Sequence, residues 1–129
     1  LEVCPIDMVK SEVRTYDFLA SDGKRIELKT DTYDMDKTPN FFMERWSVLG
    51  KEKPGGPWQS KGKADIFIYW FPKSKTYFQF NNLNRLVKRL DTLIETIKPF
   101  DVPNRGYLTR GYRVPRNLLT SYYEVWEHD

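Results

Sequence analysis

Tyr16-Asp17-Phe18-Leu19-Ala20-Ser21-Asp22-Gly23-Lys24-Arg25-Ile26-Glu27-Leu28-Lys29-Thr30 decides how this chain folds and where its chemistry lies. Ser21-Asp22-Gly23-Lys24 predicts a tight reversal, because Asp-Gly supplies the positive φ angles that a two-strand hairpin needs. The expected strands run over 13–20 and 25–32. Side chains alternate along a strand, so Ile26 and Leu28 face one side and Glu27 and Lys29 the other. The turn folds Asp17 back toward Glu27. Two neighbouring carboxylates are costly unless a cation neutralises them, and a hard divalent ion with oxygen ligands is the natural occupant. Beside them, the Lys29 ammonium is placed to orient an attacking water and to offset charge on a phosphate in transfer, the groups that metal-assisted phosphodiester hydrolysis requires. A solvated hairpin with ordinary charges on its wet face is the alternative, and Glu-x-Lys alone is a weak signal.

Outward from the hairpin, residues 1–9 read as strand-like and 41–48 as a short strand. The latter is bounded by Thr38-Pro39-Asn40 and by the Lys/Gly/Pro-rich stretch 50–57. Ile66-Phe67-Ile68-Tyr69-Trp70-Phe71 is an unbroken apolar run, the pattern of a mid-sheet strand covered on both faces. Residues 76–80 are expected to pair beside it through Pro72-Lys73-Ser74-Lys75. Leu83, Leu86, Val87, Leu90, Leu93, Ile94 and Ile97 then recur at three- and four-residue steps behind Asn81 and Asn82, which predicts a capped amphipathic helix over one face of the sheet. From 98 onward the chain is rich in Pro, Gly, Tyr and Arg and is expected to wrap the sheet as loops, with a late strand or helix near 118–125.

Residues 1–129 suit one domain, and 40% hydrophobic with 30% charged residues is the balance of a folded globular chain. A net charge of +3 permits an anionic partner without demanding one. Cys4 is the single cysteine and His128 the single histidine, which excludes a disulfide framework, a cysteine-built zinc site and chemistry founded on a histidine base. Carboxylates, lysine and a bound metal remain. No apolar run is long enough to span a bilayer. Two groups of cations suit a polyanion: Lys51, Lys53, Lys61 and Lys63 around the Gly-rich stretch, and Arg105, Arg110, Arg113 and Arg116 alternating with Tyr107 and Tyr112.

Together, Tyr16-Asp17-Phe18, the Asp-Gly turn and Ile26-Glu27-Leu28-Lys29-Thr30-Asp31 resemble the restriction-endonuclease-like, PD-(D/E)xK nuclease superfamily. The likeness continues through Asn40-Phe41-Phe42-Met43-Glu44, Lys53-Pro54-Gly55-Gly56-Pro57-Trp58 and Lys63-Ala64-Asp65, similar to small phage and bacterial nucleases in which a strand bearing N-x-x-x-E leads into a Gly-rich helix start. The resemblance implies an α/β fold with a central mixed β-sheet flanked by helices. It implies Mg2+ or Mn2+ held by Asp17, Glu27 and the Leu28 carbonyl, with Lys29 positioning the water. It also implies nucleic acid, chiefly DNA, as the substrate. The catalytic set is expected to be Asp17, Glu27, Lys29 and Glu44, and the nucleic-acid contacts to include Lys51, Lys53, Lys61, Lys63, Arg110 and Arg113. Tyr16 stands where the family usually has proline. The chain opens on Leu1, so a leading segment is expected to carry the family's N-terminal helix and its acidic residue, a role otherwise left to Glu44. The implied setting is cytoplasmic, a host cytoplasm for a phage protein, and a homodimer is compatible with it. A catalytically silent module on the same fold, binding nucleic acid or protein, is the alternative.

Overall fold

In the computed structural model, residues 8–10 and 16–127 are described. The chain is mixed α/β and rich in strands, with β1 (Met8–Lys10), β2 (Phe18–Ala20), β3 (Arg25–Thr30), β4 (Asn40–Val48), β5 (Lys53–Pro54), α1 (Gly56–Ser60), β6 (Ile66–Phe71), β7 (Thr76–Phe80), α2 (Leu83–Leu93), β8 (Pro99–Asn104), β9 (Tyr107–Pro115) and β10 (Glu124–Glu127). Six strands form one sheet in the order β1-β2-β3-β6-β7-β10, and four form a second in the order β5-β4-β9-β8. Every pairing is antiparallel except that of β3 with β6, so the first sheet is mixed.

The predicted hairpin is present, with Phe18 opposite Ile26 and Leu19 opposite Arg25. Gly23 takes φ +88°, and the Lys24 N–H donates to the Asp22 carboxylate at 3.1 Å, closing the turn. Arg25 fixes the next pairing: its backbone N–H and guanidinium donate to Asp65 at 2.8 to 3.2 Å, which pins the entry of β3 against that of β6.

β6 lies inside the sheet, as its apolar run predicts. Its Phe67, Tyr69 and Phe71, with Phe78 and Phe80 of β7, pack against Phe41 and Met43 of β4, Val114 of β9 and the apolar stripe of α2. Phe41 is fully buried, its ring centroid 4.7 Å from Tyr69 and 4.9 Å from Phe78. A large ring at such a site contributes about 3–5 kcal/mol, transfer and cavity terms together. Ala20, Ile26, Ile66 and Ile68 form a separate cluster on the other face. The predicted cap of α2 is Asn82, whose side chain accepts from the Arg85 N–H.

Two expectations are corrected. One long helix and the four-stranded sheet pack against the same face of the first sheet, so among the described residues helices do not flank it on both sides. The tail is not a set of loops: β8 and β9 form a hairpin that supplies half of the second sheet, while the late element expected near 118–125 is β10, which returns to the edge of the first. Pro99 and Pro103 hid β8, yet an edge strand tolerates the missing N–H. Helix α2 ends at Leu93, so Ile97 packs on the core from beyond it. Of the expected strands over 1–9 and 13–20, residues 1–7 and 13–15 lie outside the described residues, and the second is strand only from Phe18. No described helix is long and apolar enough to cross a membrane.

Candidate functional site

Asp17 sits one step before β2, where the Phe18–Ile26 register brings it opposite Glu27. Its N–H still donates to the Ile26 carbonyl at 2.9 Å, but its side chain then takes over from the backbone, accepting the Leu28 N–H at 2.9 Å. The strand pair therefore ends in a carboxylate. Glu27 faces the second sheet, half-buried, and accepts a hydrogen bond from Ser60 Oγ of α1 at 2.9 Å. Burial, then a hydrogen bond with the Asp17 carboxyl, pushes the Glu27 carboxyl up to about 7, against the opposing bond from Ser60. Two acids in contact, with Glu27 raised toward neutrality, are thus the electrostatic centre of the site.

A cavity of about 160 Å³ opens beside them, lined by Glu27, Leu28 and Lys29 of β3, Phe42 and Glu44 of β4, and Gly56, Pro57, Gln59 and Ser60 of α1, with Phe67 at its floor. Lys29 shares this cavity with Glu27, as the alternation of β3 predicts. No carboxylate among the described residues lies within ion-pair distance of its ammonium. Glu44 forms the opposite wall. The Gly55-Gly56 pair is built around it: a Cβ on Gly55 would fall 2.1 Å from Glu44 Oε2, and one on Gly56 would fall 2.8 Å from the Glu44 carbonyl oxygen. Gly56 also holds φ +49°. Gly56→Ala, meeting backbone in a left-handed conformation, is expected to cost about 2 kcal/mol or more in denaturant unfolding. Gly55→Ala meets only a movable carboxylate and should cost less.

Of the expected metal ligands, Asp17 and Glu27 are brought together. Glu44, expected in the catalytic set, lines the same cavity as Glu27, although among the described residues no three acidic or other ligating side chains gather into one cluster. Lys51, Lys53, Lys61 and Lys63 are all exposed, outside the cavity lining. Arg110 is held by Asp101 through two bonds of 2.7 and 3.0 Å, which commits its guanidinium to the β8–β9 hairpin. Arg113 projects differently, over the Phe100 ring at 3.7 Å, and lines a second cavity that also includes Phe42.

Comparison with family models, with curated proteins and with solved structures returned no match. The site therefore rests on its own geometry. Several of its members carry no sequence signal. Ser60 reaches Glu27 only because α1 packs near β3. Tyr69, within an apolar run, donates from its buried hydroxyl to Asp31 Oδ2 at 2.5 Å and accepts from the Phe42 N–H at 3.0 Å. Burial, then the Asp31 bond, holds the Tyr69 phenol further above the usual tyrosine range.

Proposed function

We propose that this chain is a divalent-metal-dependent nuclease of the PD-(D/E)xK, restriction-endonuclease-like type, hydrolysing phosphodiester bonds in nucleic acid, chiefly DNA. The observation that carries the reading is the Asp17–Glu27 contact, in which burial and the neighbouring acid push Glu27 up to about 7. Such a pair is costly by itself and becomes favourable when a cation takes the place of the proton. The donors fit a hard ion, since both side chains offer only oxygen and the Leu28 carbonyl is a further oxygen at the same strand position. Mg2+ or Mn2+, when bound there, supplies Lewis acidity at the scissile phosphate.

The remaining steps belong to the chain's own groups. Glu27 and Asp17 hold the cation, with Ser60 fixing the Glu27 carboxylate from the side. Lys29, which makes no ion pair among the described residues, orients the water that attacks phosphorus and offsets the negative charge that builds on the phosphoryl oxygens as the leaving strand departs. Glu44 completes the far wall and limits how a phosphate enters. Cations around the site, Lys51, Lys53, Lys61, Lys63 and Arg113, hold the polyanion on either side of the reacting bond.

Magnesium- or manganese-dependent cleavage over a panel of DNA and RNA structures tests the reading; no cleavage of any member overturns it. Binding of the ion has its own readout. A ligand that fills the acidic pair only in the folded state raises stability by mass action, so millimolar Mg2+ or Mn2+ is expected to raise Tm by about 3 °C or more. Asp17→Asn keeps the acceptor for the Leu28 N–H and should lose that rise. An equal shift in wild type and variant would remove the metal site from Asp17. The second reading is a silent module on the same fold that binds without cutting. That module would retain binding in the same assay with no turnover.

A further inference from the structure

Next to the Glu27 cavity lies a larger one of about 510 Å³, and Phe42 is a wall of both. The two are neighbouring cavities that share this ring as a wall. Along the line of β3, Lys29 and Asp31 are successive residues of one face, so the reacting end and the second cavity stand about 6.6 Å apart along the strand. Roughly 150 Å³ of cavity holds a benzene ring, so the second space accepts a base with its sugar. The first, about 160 Å³, has room for a phosphate but not for a whole nucleoside.

The walls of the second cavity match such an occupant. Tyr33 is 59% exposed, an unusual position for a large ring, yet its backbone is held: its N–H donates to Asp31 Oδ1 at 2.9 Å. Asp31 is fixed in turn by the Tyr69 hydroxyl. Both Asp31 oxygens are thereby occupied in orienting Tyr33 and Tyr69. Lys37, in the short 3-10 turn Met35–Lys37, and Arg113 place two cations at the rim. Arg113 is braced by Phe100, whose ring meets Phe42 edge-on at 6.3 Å. Gly111 is required beneath Phe42, since a Cβ there would fall 2.3 Å from its Cζ. The Asn40 side-chain amide, also in the wall, makes no hydrogen bond among the described residues.

We propose that this second cavity receives one unpaired nucleotide of the chain being cut, its base stacked on Tyr33 and its phosphate between Lys37 and Arg113. A stacked base inside a duplex cannot enter a concave pocket without leaving its helix. An exposed aromatic face beside cations is what single-strand binders use, because every base has a π-face. The inference rests on the nuclease reading for the role of the adjoining cavity. It narrows the substrate class to strands with an unpaired residue next to the scissile bond: single strands, flaps or frayed ends.

Binding is measured by fluorescence anisotropy with chelator present, using labelled oligo(dT), oligo(rU) and a blunt duplex. Tyr33→Ala is expected to weaken single-strand binding about tenfold, and Tyr33→Phe to stay within about twofold of wild type because the ring remains. Tyr33→Leu, which keeps bulk without a π-face, should resemble Tyr33→Ala and guards against a folding artefact. Duplex binding should be unchanged in all three. Loss with either oligonucleotide supports the cavity, and the tighter-binding one identifies the sugar. Single-strand affinity within about twofold of wild type in both Tyr33→Ala and Tyr33→Leu would overturn the proposal, as would equal weakening of single strand and duplex. Since no metal is present, the two readings fail separately. A wild type that binds through Tyr33 but never cleaves removes the hydrolase reading alone, and cleavage with no Tyr33 dependence removes this one.

Discussion

Glu27→Gln is expected to lower cleavage a thousandfold or more, about 4 kcal/mol of barrier, while making the protein more stable above neutral pH. Both effects have one origin. Burial and the Asp17 contact raise the folded-state value of Glu27 from its ordinary 4.5 to about 7. For an acid shifted upward, the folded state favours the protonated form. Its contribution to stability is therefore complete below about 4.5 and is lost as pH rises through about 7. Discounted for the solvent that a half-buried group still meets, the loss is about 1–2 kcal/mol. Gln is the neutral isostere of the protonated acid: it can accept from Ser60 and donate to Asp17 at every pH. Relative to wild type, the variant should gain stability as pH rises from 4.5 to about 7 and keep that gain above it. It should also hold a divalent cation poorly, because a neutral amide cannot replace an anionic ligand. Denaturant unfolding across that range, alongside cleavage rates, gives both readouts. Unchanged cleavage would remove Glu27 from the site, and parallel stability curves would show that the carboxyl ionises as freely as an exposed one.

Lys29→Ala is expected to reduce the cleavage rate by about a hundredfold, on the order of 3 kcal/mol, with nucleic-acid affinity nearly unchanged. The ammonium lines the cavity with Glu27 and carries no ion pair among the described residues. Its removal therefore breaks no ion pair, and melting should shift little. Affinity is shared among many cations, so the loss of one in the reacting cavity falls on the transition state rather than on binding. Cleavage and binding measured on the same substrate separate this from a solvating lysine, whose removal would leave the rate within about twofold of wild type. Such an outcome would leave Glu27 and Asp17 as a metal site without its proposed catalytic partner.

What the sequence made legible was local. Asp22-Gly23 specified a hairpin, alternation put Glu27 and Lys29 on one face, the Ile66–Phe71 run identified a central strand, and Asn82 marked the start of α2. Each signal sits within a few residues of its effect. The second sheet was harder to read, because the buried positions of β9 are small or lightly polar, with Thr109, Gly111 and Val114 among them, and Phe42 fills the space that Gly111 leaves. Asn104-Arg105-Gly106-Tyr107, with Gly106 at φ +82°, was the available turn signal for β8–β9, obscured by the prolines of β8. At the site, Ser60 touches Glu27 across 33 residues and Tyr69 meets Phe42 across 27, contacts that packing alone decides.

The path of the chain between the sheets bears on how the protein comes together in time. β3 and β6 pair in parallel, and the connection between them contains β4, β5 and α1, so the first sheet cannot close until the beginning of the second has been laid down. β4 then waits for β9, which arrives only after β7 and α2, and β10 crosses back to complete the first sheet. Neither sheet is an independent piece of chain, and three of the eight pairings, β3–β6, β4–β9 and β7–β10, join distant stretches. Such topologies close late and slowly, on the order of milliseconds to seconds. The interwoven sheets leave no subdomain to form first, so Glu27 on β3 meets Ser60 on α1 only as the whole molecule condenses. The β2–β3 hairpin alone can set Asp17 against Glu27, but the cavity that surrounds them needs β4 and α1 as well, so a partly folded chain has no enclosed place in which to begin cutting.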